Sequence, residues 1–125
     1  MKKIILLIVL SLFFVGCTTS SDVDQPNIPK NDSTFDESTG LTIDAETGLL
    51  QMTIDELEQF NGKDGNKAFV AIDGNVYDVT GNRKWLDGNH EKGMSAGRDL
   101  SAFISSAPHG YDILKQFTVV GKIVE

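Results

Sequence analysis

Between Thr18 and about Ala45 the chain is built of Ser, Thr, Asp, Asn and Pro with few large apolar side chains, and this stretch limits what remains to fold. Such a composition cannot bury enough apolar surface to offset the conformational entropy of ordering it. With the apolar leader that precedes it, it leaves about 75 residues, from Leu49 onward, to build a core. A domain of that size buries only about 60% of the surface its unfolded chain exposes. A bound group would help to hold it, because anything that binds only the folded state adds stability by mass action.

The leader itself is specific. Met1-Lys2-Lys3 is a basic head, Ile4 to Phe14 is apolar apart from Ser11, and Val15-Gly16-Cys17 follows. This is the layout of a secretory signal over residues 1–16, and it is short for a membrane span of about 20 apolar residues. Cys17 is the only cysteine, so it has neither a disulfide partner within the chain nor a second thiolate for a metal site. Phe14-Val15-Gly16-Cys17 resembles a bacterial lipobox, with phenylalanine where leucine is commoner. That resemblance implies acylation of Cys17 and a cell-membrane, extracytoplasmic location held by a lipid anchor. A plain secreted protein or an uncleaved anchor is the alternative. Residues 17–48 are then expected to be the lipidated cysteine and a disordered acidic tether. Cleavage before Cys17 removes Lys2 and Lys3 and takes the formal charge from −7 to −9. With no basic stripe to displace counterions, nucleic acid is not an expected partner. A protein with a cationic docking patch is.

Residues 49–125 carry the folding signals. Thr53-Ile54-Asp55-Glu56 fits a capping box ahead of the helical spacing Ile54, Leu57, Phe60, which Asn61-Gly62 ends. Ala68–Ile72 and Val76–Val79 are strand-like runs around Asp73-Gly74-Asn75, a hairpin signal. Trp85-Leu86 reads as a core anchor. Asp99 can cap a helix bearing Leu100, Phe103 and Ile104 that stops at Ala107-Pro108. A further helix from Tyr111 to Phe117 leads into a closing strand, Thr118–Val124. Short strands mixed with short helices predict an α+β domain.

The chain has two histidines, and glycines flank both: Gly88-Asn89-His90-Glu91-Lys92-Gly93 and Ala107-Pro108-His109-Gly110. Gly88, Gly93 and Gly110 permit loop conformations and close backbone approach to a flat ligand. Imidazole is a common axial ligand of haem iron, and two imidazoles fill both axial positions. Val76-Tyr77-Asp78-Val79-Thr80 upstream, Ala96-Gly97-Arg98-Asp99 between the histidines and His109 beyond them resemble the cytochrome b5-like haem-binding domains over about Gln51–Val124. His90 falls at the histidine of that family's His-Pro-Gly-Gly loop, with Glu91 and Lys92 replacing the proline and first glycine. The segment from His90 to Ala96 is about five residues shorter than is usual there, and the loop from Thr80 to His90 is longer. The resemblance implies a small mixed sheet carrying two short helical hairpins that form a haem cleft, with His90 and His109 as iron ligands.

The apolar residues available to line such a cleft are Ile72, Val79, Trp85, Leu86, Met94, Phe103, Ile104, Ile113, Leu114 and Phe117; the same residues would equally fill an ordinary core. No Cys-x-x-Cys-His occurs, so the expected cofactor is noncovalent haem b. The expectation is a membrane-anchored electron-transfer protein, not an enzyme by itself, that meets a redox partner protein. A second reading, suggested by the longer loop, is a binding module for haem or another hydrophobic ligand, like the membrane-associated progesterone-receptor relatives of the same fold. A third is a haem-delivery lipoprotein. Asp87, Asp99 and Asp112 beside the histidines leave open a metal site of another kind.

Overall fold

A computed structural model describes residues 33–125. The leader over residues 1–16, the lipidation residue Cys17 and the tether as far as residue 32 lie outside the described residues. The remainder is a mixed sheet with few and short helices. In chain order the strands are β1 (Thr34–Asp36), β2 (Leu41–Ile43), β3 (Leu50–Met52), β4 (Phe69–Ile72), β5 (Asn75–Asp78), β6 (Arg98–Asp99) and β7 (Thr118–Ile123). They are arranged as β1-β2-β3-β7-β5-β4-β6. The β3–β7 and β4–β6 pairs are parallel and the others antiparallel.

The local signals operate as their chemistry demands. Thr53 caps α1 (Ile54–Leu57): its hydroxyl accepts the Glu56 N–H while the Glu56 carboxylate accepts the Thr53 N–H, the reciprocal pair of a capping box. The β4–β5 hairpin turns on Asp73 and Gly74, both with positive φ (49° and 77°). A two-residue turn of that hand matches the twist of the strands it joins. Asp99 is not the cap of α2 (Ser101–Ile104), whose N-cap is Leu100 without a side-chain bond; one residue earlier, Asp99 accepts the N–H and the hydroxyl of Ser101. The segment after His109 is a 3-10 helix, Gly110–Gln116, and β7 follows it.

Order begins earlier than Leu49. Part of the stretch read as a disordered tether, residues 34–43, forms β1 and β2, and Leu41 is buried with Leu50 and Met52. The polar residues that suggest disorder are turn formers here. The Asp36 carboxylate accepts the N–H and hydroxyl of Ser38 and the hydroxyl of Thr39, and Asp44 accepts the N–H and hydroxyl of Thr47. These bonds hold both aspartates below the ordinary carboxyl value, Asp36 chiefly through Ser38 and Asp44 chiefly through Thr47.

β4 is buried on both faces, and the alternation of its side chains divides the interior. Phe69 and Ala71 join Met52, Leu57 and Val76 on one face. Ala68, Val70 and Ile72 join Val79, Ala96, Leu100 and Ile104 on the other.

Candidate functional site

The second face opens into a cavity of about 760 Å³, within the range of roughly 300–1,000 Å³ common for small-molecule sites. Nine of the ten apolar residues expected to line a cleft do line it, and so do both histidines. Leu86 is the exception: it is 68% exposed and faces away. Asp87, in a left-handed conformation at φ 51°, turns the chain immediately after it. Trp85 packs against the inner cluster, so the expected anchor is Trp85 alone. Val70, Tyr77 and Leu100 line the cavity as well. They follow from strand alternation once β4, β5 and β6 are paired.

His90 stands on a loop closed at its base. Ala96 N–H donates to the Gly88 carbonyl, Asn89 bridges Ser95, and His90 N–H donates to the Met94 carbonyl at 2.8 Å. Gly88 lets this loop lie against Asn61: a Cβ there would come within 1.7 Å of the Asn61 carbonyl oxygen. No side chain fits at that crossing, which fixes where the loop leaves the sheet. His109 stands between α2 and the 3-10 helix, at the end of turns in which Ala107 N–H donates to Ile104 and Gly110 N–H to Ala107.

Both rings are held in the same way. His90 Nδ1 lies 2.9 Å from the Lys84 carbonyl oxygen, and His109 Nδ1 lies 3.1 Å from that of Gly110. A carbonyl can only accept, so Nδ1 is the donor in both bonds, which in a neutral imidazole leaves the Nε2 lone pair free. Trp85 stacks on His90 with centroids 4.5 Å apart and planes 11° from parallel, which restrains the ring against rotation. The two imidazole centroids are 6.3 Å apart. An imidazole nitrogen sits about 2 Å from a metal it ligates, so two rings on opposite sides of one ion, each with its centre about 1 Å behind the nitrogen, have centroids about 6 Å apart. The separation of the two rings matches that spacing. Asp87, Asp99 and Asp112 do not join it: among the described residues no group of three His, Cys, Asp or Glu side chains gathers as a metal site. The carbonyl of Lys84 and the charged side chains of Lys92 and Arg98, which also border the cavity, were not singled out by spacing. Their proximity comes from how the loops close.

Residues 53–124 match the model of the family described as "Cytochrome b5-like Heme/Steroid binding domain". A Methanococcoides burtonii cytochrome b5 domain protein of known structure is 44% identical, with a TM-score of 0.57, over 59% of this chain and 96% of that one. A Hadesarchaea cytochrome b5 domain protein gives 44% identity and a TM-score of 0.57 over 59% of this chain and 97% of its own. Among curated proteins, probable steroid-binding protein 3 of Arabidopsis thaliana is 38% identical over 53 residues, 42% of this chain and 53% of the relative. The chain therefore spans about half the length of that relative.

Proposed function

The chain belongs to the cytochrome b5-like haem/steroid-binding domain family, and from that membership we propose that it holds a noncovalent b-type haem between His90 and His109 and passes single electrons. The observation that carries this reading is the matched state of the two imidazoles: Nδ1 tied to a backbone carbonyl, Nε2 free, 6.3 Å between centroids across one apolar cavity. Haem held by His90 and His109 would supply a one-electron couple. The chain's own part is orientation and exclusion. Lys84 and Trp85 fix the His90 ring, the Gly110 carbonyl fixes the tautomer of His109, and Ile72, Val79, Ile104 and Phe117 keep water from the centre. The chain does not act as an enzyme on its own in this reading. Cys17 anchors it to the outer face of the cell membrane through lipid, and its net negative charge suits a redox partner with a cationic docking patch.

A second reading has its own support. The Arabidopsis relative is named for steroid binding, and the cavity is mainly apolar. In that case the site holds a hydrophobic ligand without electron transfer, or haem only in passage.

Optical spectra of the full-length protein with haem, oxidised and reduced, test the choice. Sharp low-spin bands are expected in both states, lost or converted to high-spin by His90→Ala and by His109→Ala. A spectrum indifferent to both substitutions overturns the proposal in favour of another hydrophobic ligand. Rapid haem loss to an acceptor protein, with the low-spin bands present, points to delivery.

A further inference from the structure

Three cations border the cavity, Lys84, Lys92 and Arg98, against a single carboxylate, Glu91. Lys84 Nζ lies 3.3 Å from Glu91. Lys92 and Arg98 are in no ion pair among the described residues. Two uncompensated positive charges thus stand at the mouth of an apolar cavity in a chain whose formal charge is −7. The backbone supplies a second observation. Four non-glycine residues have positive φ, and three of them are aspartates, whose short polar side chains tolerate that region. The fourth is Lys92, at φ 59° in the turn Glu91–Gly93 beside His90. Glycine would take that conformation without steric penalty, so a lysine kept there points to a use for its side chain. Both cations are exposed at the rim, where their long stems can follow a ligand's edge while their heads stay in water.

We propose that Lys92 and Arg98 form a carboxylate-recognising rim, which makes the cavity selective for a flat apolar ligand bearing carboxylates along one edge over a neutral sterol. The proposal rests on the haem reading and deepens it, since haem has two propionates on one edge of its macrocycle. A dianionic ligand approaching an acidic protein is repelled at long range, and a local pair of cations offsets that repulsion at the mouth. Once the propionates are seated, the rim is electrically neutral and no longer repels a cationic partner.

The test compares haem with haem dimethyl ester, which has the same macrocycle and no free carboxylates, by titrating the full-length protein at low and high salt. The variants are Lys92→Gly, which suits the left-handed turn and keeps the fold, Arg98→Gln, and the double substitution. Wild-type protein is expected to prefer haem over its ester. Each single substitution should reduce that preference roughly two- to fivefold, the range of an exposed ion pair, and the double variant should abolish it. Ester affinity should stay unchanged, and high salt should shrink the preference most in the wild type, less in the single variants and not at all in the double variant. Equal affinity of the wild type for both ligands, with a histidine-dependent low-spin spectrum, sinks the rim and leaves the haem reading intact. Parallel loss of both ligands in the variants also sinks it, by assigning the residues a purely structural part. Failure of the wild type to take either macrocycle, with uptake of a neutral sterol, overturns the haem reading and the rim with it.

Discussion

The two faces of β4 are covered in different ways. On one, Phe69 and Ala71 meet Met52, Leu57 and Val76, all almost fully buried, and Phe60 stacks on Phe69 at 4.6 Å under the capped helix α1. On the other, Val70 and Ile72 are equally buried, but Trp85, Met94, Ile113, Leu114 and Phe117 around them are only half-buried and border a cavity. The first face is a finished core. The second has the composition of a core with its centre left open, held by 3-10 turns and closed loops. A small domain can carry such a face because the closed one supplies the packing that folding needs, and the open one is free to be completed by a ligand.

The largest expected effect tests that division directly. Phe69→Ala removes a ring that is 1% exposed and should cost about 3–5 kcal/mol of unfolding free energy, enough to unfold much of the population. Phe117→Ala, on the half-buried side, should cost only about 1 kcal/mol in the ligand-free protein while weakening haem uptake. Denaturant titration of the two variants checks this, and equal losses would erase the distinction between the faces. Next in size is the ligand's own contribution. Haem at a hundredfold excess over its dissociation constant should add about 2.7 kcal/mol, with the gain in amide protection concentrated in residues 86–116 and smallest in β3 and β7. Protection that rises evenly over both faces would mean that the open face is already rigid without ligand.

The closed face was legible in the sequence in part, for a physical reason. Most of its elements rest on local chemistry: the Thr53–Glu56 box, the Asp73-Gly74 turn and the strand-like apolar runs of β4, β5 and β7 each act within a few residues. The two histidines were visible because they are the only ones and share a glycine-rich setting. The Trp85–His90 stack, the Lys84 carbonyl on Nδ1 and the Lys92–Arg98 rim were not, because loop closure brings them together and no sequence period governs it. Leu86 misled for the same reason: beside Trp85 it reads as core, and a left-handed Asp87 sends the chain outward. β1 and β2 were hidden differently. Strands of three residues are too short to show a period, and Asp, Ser, Thr and Gly serve tight turns as well as they serve disorder.

The smallest expected effect separates the faces by pH. Asp36 and Asp44 lie below the ordinary aspartate value of 3.8 in the folded protein, through bonds from Ser38 and Thr47. A depressed folded value means that the native state binds the proton more weakly than the unfolded chain. The stabilisation is therefore present in full above the unfolded value and is lost as pH falls through about 4 and below. Tyr111, on the 3-10 helix that flanks the cavity, goes the other way: desolvation, followed by the Asp73 carboxylate, raises it above its ordinary 10.0. Its contribution is full below pH 10 and fades as pH climbs past that value. Acid should thus loosen the β1–β2 strands that join the closed face, and alkali the helix beside the open one. Amide exchange at Thr42 and Ile43 against Ile113 and Leu114, followed from pH 3 to 11, reads both ends. Asp36→Asn with Asp44→Asn should remove the acid arm, since a neutral amide still accepts the turn bonds but no longer titrates. Simultaneous loosening of both segments at low pH, unchanged in the double variant, would show the two faces to be one cooperative unit.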